Sequence, residues 1–340
     1  HNALGGSVAG GEYNVSVGNF TLDALTSGDN NVAIGYGASS AGNSMKDSVA
    51  IGYNAATAST TAGRFVAIGH GAMGTGVGTD ATSYNIAIGY DSLKAMTSGT
   101  NNIAIGVDAN KGADGEGNNL AIGSTALGST NINGAEYNIA IGNNTLDAIT
   151  SADNNVVIGD NAGSSLTTSG ENVIIGSYAV STGVLTGTQN IAIGRLAGQD
   201  LTSATQNVIM GWSAAKNATT SDGNTIIGHS ANGAGVLTGN NNTIVGKLAG
   251  NDLTSGHSNT LIGEDAGANI TTGLANVIVG QGAAEALTTG TYNVYIGVNA
   301  GNGHDEEGSN IGIGFEALGG PIAGGENNVA VGIYALDAIT

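Results

Sequence analysis

The chain has 340 residues, of which 60 are glycine, one is proline and none is cysteine; aromatics make up 4% and the formal net charge is −19. So much glycine with so few aromatics excludes an ordinary globular domain of this length, the single proline excludes collagen, and the lack of cysteine excludes a disulfide framework or thiolate site. With 7 Lys+Arg against 26 Asp+Glu the composition points away from nucleic acid and anionic membranes, and no apolar run nears the roughly 20 residues that would insert this segment in a bilayer.

One phrase dominates the chain: Asn-apolar-x-Ile/Val-Gly, or a close variant. It closes first at Gly18 and for the nineteenth time at Gly332, and thirteen of the eighteen intervals are 17 residues, three 18, one 19 and one 20. Asn opens seventeen of the nineteen phrases; Ser48 and Phe65 are the exceptions. Representative pairs are Asn31 with Gly35, Asn102 with Gly106, Asn155 with Gly159, Asn207 with Gly211, Asn259 with Gly263 and Asn310 with Gly314. Repetition at a fixed short period predicts a solenoid, so residues 1–340 are expected to form a single continuous array with partial repeats at both ends. Residues 3–38 resemble 126–162, and 317–340 start the same block and stop at Thr340. The expectation is a fragment of a longer array.

Within a repeat, NVAIG (31–35) is apolar and β-branched and reads as a short strand ended by glycine. The glycine suits a positive-φ corner or close approach of neighbouring backbones. Three residues on stands a small side chain, alanine except at Thr21, Ser92 and Thr145. Pairs such as Leu25-Thr26, Met96-Thr97, Leu166-Thr167, Leu253-Thr254 and Leu287-Thr288 suggest a second short strand and a turn. No window holds a helical apolar period without glycine interrupting it. The predicted fold is all-β: a parallel β-solenoid, or β-roll, of about 20 coils at ~17 residues each. The phrase Asn is expected to stack on itself from coil to coil through its amide.

Alternation puts the second and fourth phrase residues on one face and the third on the other. The second and fourth, mostly Val, Ile or Thr, are assigned to the interior. The third would then face out, yet from Ala33 through Ile174, Ile209 and Leu261 to Tyr295 it is apolar. A strand apolar on both faces is covered on both, which predicts a homotrimer with the third residues near its axis. The alternative is a wider single-chain coil made of three phrases.

NVAIGYGA (31–38), SVAIGYNA (48–55) and FVAIGHGA (65–72) resemble the head repeats of trimeric autotransporter adhesins. The longer form NTLIGEDAGANITTGLA (259–275) is similar to repeats in phage tail fibres and bacterial surface fibres. The resemblance implies a left-handed β-roll, three chains together, in an extracellular attachment fibre on a virion or a bacterial cell surface. It supplies no receptor and no site residue.

Little in the sequence points to chemistry, and the expectation is no enzyme and no cofactor. GHGAMG (69–74) matches G-x-G-x-x-G only because the repeat is glycine-rich. Asp23, Asp147 and Asp337 share one repeat position, which suits a turn and not a singular acid pair for glycoside cleavage. The five histidines are scattered. Two acidic loops, with Asp114 and Glu116 and with Asp305, Glu306 and Glu307, are candidate Ca²⁺ ligands, against the plainer reading of solvated turns. The residue after the phrase glycine gives Tyr36, Tyr53, His70 and Tyr90 on successive coils, and later Arg195 and Trp212. This ladder either offers rings to a glycan or protein receptor, with Arg195 on Trp212 as a cation–π pair, or stabilises itself by stacking. A glycan-cleaving tailspike and an ice-binding solenoid are the alternative functions; the second requires a regular threonine array, and here the threonines drift.

Overall fold

A computed structural model describes residues 2–6, 10–61, 63–75, 83–130, 132–320 and 325–337. The chain forms two compact units, residues 1–171 and 172–340, and each is an all-β solenoid. In the first unit the strands are β1 (Val15–Val17), β2 (Val32–Ile34), β3 (Val49–Ile51), β4 (Val66–Ile68), β5 (Ile86–Ile88), β6 (Ile103–Ile105), β7 (Leu120–Ile122), β8 (Ile139–Ile141) and β9 (Val156–Ile158). In the second they are β10 (Val173–Ile175), β11 (Ile191–Ile193), β12 (Val208–Met210), β13 (Thr225–Ile227), β14 (Thr243–Val245), β15 (Thr260–Ile262), β16 (Val277–Val279), β17 (Val294–Ile296), β18 (Ile311–Ile313) and β19 (Val329–Val331).

Within each unit every strand pairs in parallel with the next along the chain, Val15 opposite Val32, Val32 opposite Val49, Val208 opposite Thr225. One phrase therefore makes one turn, which excludes the wider three-phrase coil. The register passes intact over the longest insertion, Val66 lying opposite Ile86, because the extra residues sit between strands. Its loop, 76–82, lies outside the described residues, as do His1 and Thr340.

Both expected reasons for the phrase glycine hold. Gly228 has φ +145°, and a Cβ there would stand 2.6 Å from the carbonyl carbon of Gly246 on the next coil and nearer still to its oxygen. Gly35, Gly106, Gly159, Gly211, Gly263 and Gly314 share this conformation. The rest of the coil is turned by left-handed residues, in one coil Asn144 (φ +51°), Leu146 (φ +51°) and Asn154 (φ +60°). Short polar side chains tolerate that region best, which explains much of the Asn, Asp and Ser in the repeat.

The amide ladder is as expected, with an added backbone role. The Asn207 side-chain nitrogen donates to Asn190 Oδ1 at 3.0 Å and to the Ser221 carbonyl at 2.8 Å, and Asn207 Oδ1 accepts the Asn224 backbone N–H at 2.9 Å. Asn31, Asn102, Asn155, Asn259 and Asn310 donate in the same way to Met45, Glu116, Ser169, Gly273 and Gly325. Each Asn pins the turn that follows and receives the next coil, satisfying backbone groups that burial otherwise orphans.

Two expectations are corrected. The Leu-Thr segment is not a second strand. Its leucine turns inward, as Leu25, Leu166, Leu253 and Leu287 do, and its threonine meets the next coil at a single carbonyl: Thr26 N and Oγ1 both donate to the Asn43 carbonyl at 2.8 Å. One such carbonyl per turn makes no ladder.

The faces of β1–β19 are also the reverse of those assigned. The third phrase residue is the interior one, fully buried at Ala33, Ala104, Ile174, Leu261 and Tyr295, while the second and fourth face outward. The reason is width. A three-residue strand turns either one or two side chains inward, and a lumen narrow enough for Ala33 and Ala38 both to be fully buried in it admits one. In many coils, though not in all (Ala192 stands with Gly198 and Ile174 with Val180), the lumen also conserves volume. Where the third residue is Ala67, Ala87, Ala121 or Ala140, the residue four past the glycine is Met73, Leu93, Leu127 or Leu146; where it is Val157, Ile244, Leu261 or Tyr295, that residue is Gly163, Gly250, Gly267 or Gly301. A Cβ on Gly301 would stand 2.5 Å from Cγ of Tyr295. Close packing forces the exchange.

Candidate contact surfaces

The phrase glycine turns the chain at a corner, and the next side chain leaves that corner into solvent above its counterpart on the neighbouring coil. In the first unit this builds a continuous aromatic stack. Tyr36 and Tyr53 have centroids 5.2 Å apart at 9°, Tyr53 and His70 5.1 Å at 12°, and His70 and Tyr90 5.0 Å at 12°. Phe20 closes one end edge-on to Tyr36 at 5.5 Å. All four stacked residues are exposed. The rings give their faces to one another and their edges and hydroxyls to water. A sugar stacks on a ring face, so this geometry favours mutual stabilisation, about 0.5–1.5 kcal/mol per pair.

The same column in the second unit places Trp212 on His229, centroids 4.7 Å apart at 23°, and Lys247 on Glu264, Nζ to Oε1 2.7 Å. That hydrogen bond raises the Lys247 ammonium above its ordinary value. Arg195 precedes Trp212 in the column, but among the described residues the cation–π contact is Arg64 over Tyr84, 5.7 Å from the centroid.

The acidic loops close on themselves. Glu116 Oε2 accepts the backbone N–H groups of Asp114 (2.9 Å) and Gly115 (3.2 Å), and its Oε1 that of Gly134 (2.8 Å). Glu307 Oε2 does the same for Asp305 (3.0 Å) and Glu306 (3.2 Å). The two glutamates occupy one repeat position, three before the phrase Asn, and their carboxylates cap the turn. Among the described residues no group of three or more His, Cys, Asp or Glu converges to hold a metal ion. Asp147 stands apart, its carboxyl pushed up by burial against the opposing effect of its own backbone hydrogen bond.

Threonines of the turn segments bond to the neighbouring coil. Thr150, Thr202 and Thr254 Oγ1 donate to the carbonyls of Thr167, Thr219 and Thr271, each at 3.0 Å. These hydroxyls staple coils together and form no free array.

Three features were missed in the sequence. One is the outward face itself: the second and fourth phrase residues run as two apolar columns over each unit, with Ile34, Ile105, Met210, Ile262 and Ile296 exposed. Another is a buried polar cluster in which Tyr295 Oη lies 2.6 Å from His304 Nδ1. Burial raises the Tyr295 phenol well above its usual range, and burial lowers the His304 imidazole against the opposing charges of Glu307 and Asp305. Its sequence signal is the one aromatic in the third-residue series. The third is a pair of clefts, about 880 and 430 Å³, beside the coils of Ser48 and Phe65; the signal is the missing phrase Asn.

Among the described residues no helix is long and apolar enough to cross a membrane. No protein-family model matches the chain, and comparison with curated proteins finds no match.

Proposed function

We propose that the chain is a segment of a homotrimeric, extracellular attachment fibre, of the kind found in phage tail fibres and bacterial surface adhesins, and that its role is structural and adhesive, not catalytic. One observation carries the reading: the two outward columns of Val, Ile and Thr that every coil contributes. A protein rarely leaves an apolar band of this length in water, and a closed ring of three chains covers such bands by setting one column of each chain against the other column of the next. The contact between chains is thus made by the second and fourth phrase residues, the face opposite to the sequence expectation. The resemblance of the phrases to adhesin head repeats supports three as the number and attachment as the use. Light scattering tests it: a mass near three times 33.0 kDa is expected, falling toward one chain when the outward Ile34, Ile105, Met210, Ile262 and Ile296, spread over five coils, are all changed to Lys. A wild-type mass of one chain at micromolar concentration overturns the reading.

A further inference from the structure

A repeat array carries its own control, since what every coil shares is needed for folding and a local departure calls for another reason. The phrase Asn is absent from two coils, and the two are adjacent. At Ser48 the incoming ladder bond survives, its N–H donating to Asn31 Oδ1 at 3.2 Å, but the hydroxyl turns to the Lys46 carbonyl at 2.9 Å. At Phe65 a buried ring replaces the amide, and the ladder resumes at Asn85, which donates to the Gly99 carbonyl at 2.8 Å. These coils give up hydrogen bonds that the others keep.

The same coils carry Lys46 and Arg64, two of only seven basic residues, and the next carries Tyr84. All three line the cleft of about 880 Å³, with Ser27, Ser44 and Thr100 supplying hydroxyls. That volume falls in the range of about 300–1,000 Å³ typical of small-ligand sites. The nearest carboxylates, Asp29 to Lys46 and Asp47 to Arg64, are each 3.8 Å away, beyond hydrogen-bonding distance. The guanidinium fork and the ammonium thus keep their donors, and a ligand carboxylate bound in bidentate fashion outcompetes such loose pairing. Tyr84 is exposed and stands outside the aromatic stack, with the Arg64 guanidinium over one face of its ring, 5.7 Å from the centroid, and the other face left for a ligand.

We propose that this cleft binds a carboxylate-bearing saccharide. The carboxylate lies on Arg64 and Lys46, the sugar hydroxyls bond Ser27, Ser44 and Thr100, and the ring packs against Tyr84. A bare anion needs only the cations; the hydroxyl lining and the volume fit a sugar of two or three rings. As the contact an attachment fibre makes, the site rests on the proposed function, whereas binding is read on the protein whatever its mass.

The test is ligand-observed NMR titration of the intact protein with sialyllactose and with a glucuronate-containing tetrasaccharide, using lactose as the neutral arm. At least one acidic saccharide is expected to bind with lactose silent. Arg64→Ser should weaken it about tenfold and Tyr84→Ser severalfold, while Arg195→Ser in the other unit changes nothing. These side chains are exposed, and unchanged melting of the variants confirms folding. Silence of both acidic saccharides, equal binding of lactose, displacement by acetate at equal concentration, or an unaltered affinity in Arg64→Ser each overturns the proposal. A monomer that binds the acidic sugar leaves the cleft standing and removes the trimer; a trimer that binds neither does the reverse.

Discussion

Replacing Asn207 tests the amide ladder at its best-defined point. The side chain is buried, and its nitrogen donates to Asn190 Oδ1, the Thr205 carbonyl and the Ser221 carbonyl at 3.0, 3.0 and 2.8 Å. Its oxygen accepts from Asn224 N and Nδ2 at 2.9 and 3.2 Å. Alanine leaves two deeply buried backbone groups without partners, the Ser221 carbonyl and the Asn224 N–H. At about 1–3 kcal/mol each the cost is about 4 kcal/mol. Aspartate is nearly isosteric but sets an oxygen against three oxygens. At pH 7.5 Asn207→Asp is therefore expected to be worse than Asn207→Ala. Its carboxyl, raised by burial and by those oxygens, contributes stability only while protonated, so the order reverses as the pH falls toward 4. Solenoids need not unfold in one step. The assay is thus urea unfolding combined with hydrogen exchange of the segment 205–225, with Asn269→Ala on the exposed surface as the control expected within about 0.5 kcal/mol of wild type. A cost below about 1 kcal/mol for the alanine variant, or an aspartate variant as stable as alanine at neutral pH, refutes the ladder as a source of stability.

Three further outcomes follow from the geometry. Gly228→Ala should cost at least about 3 kcal/mol, because φ +145° suits glycine alone and the clash is with the backbone of the next coil; Gly282→Asn should be near neutral in the same urea melt, since its φ of +60° matches that of Asn299 on the next coil and the crowding is from a movable side chain. Gly301→Leu should unfold its coil by collision with the Tyr295 ring, and Tyr295→Ala with Gly301→Leu should recover most of the loss, a coupling of about 2 kcal/mol or more in a double-mutant cycle; an additive cycle would show that the lumen does not conserve volume. His304 has its imidazole lowered by burial in the folded state, so its contribution is full above the ordinary histidine value of about 6.5 and is lost as pH falls through the folded value; hydrogen exchange over 293–311 should therefore accelerate between pH 7 and 5 beyond its intrinsic pH dependence, and His304→Phe should abolish that excess.

Much of the fold was legible because so few coil shapes satisfy a 17-residue period. The phrase glycine and the stacked Asn each followed from a local requirement, and each is in place. The face assignment failed because alternation says which residues share a face and not which face is inside. Val32 and Ile34 are larger and more apolar than Ala33, so hydrophobicity alone sends them inward. The lumen is instead set by what can stand opposite, and Ala38 leaves room for Ala33 only. The exchange between Ala140 with Leu146 and Leu261 with Gly267 was visible in the sequence and would have placed the third residue in the core. The second strand failed for a related reason: Leu25-Thr26 has strand composition but meets the next coil at one carbonyl. The cleft was hidden because Lys46, Arg64 and Tyr84 meet only once the coils are stacked.

The two apolar columns and the cleft make opposite uses of the same repeat. Self-association through a long face gains from uniformity, since every coil then adds the same small increment and one imperfect coil matters little. A ligand site gains from singularity, because specificity requires charges and hydroxyls in one arrangement that the rest of the array does not offer. The chain separates the two. Its second and fourth phrase residues stay β-branched or apolar from β1 to β19, while Ser48 and Phe65 interrupt the Asn ladder beside Lys46 and Arg64. If the interruption were drift without function, restoring the phrase residue by Ser48→Asn with Phe65→Asn would leave saccharide binding unchanged in the folded protein. If the cleft depends on the altered turn, the same double change abolishes binding. The two readings part on that one measurement.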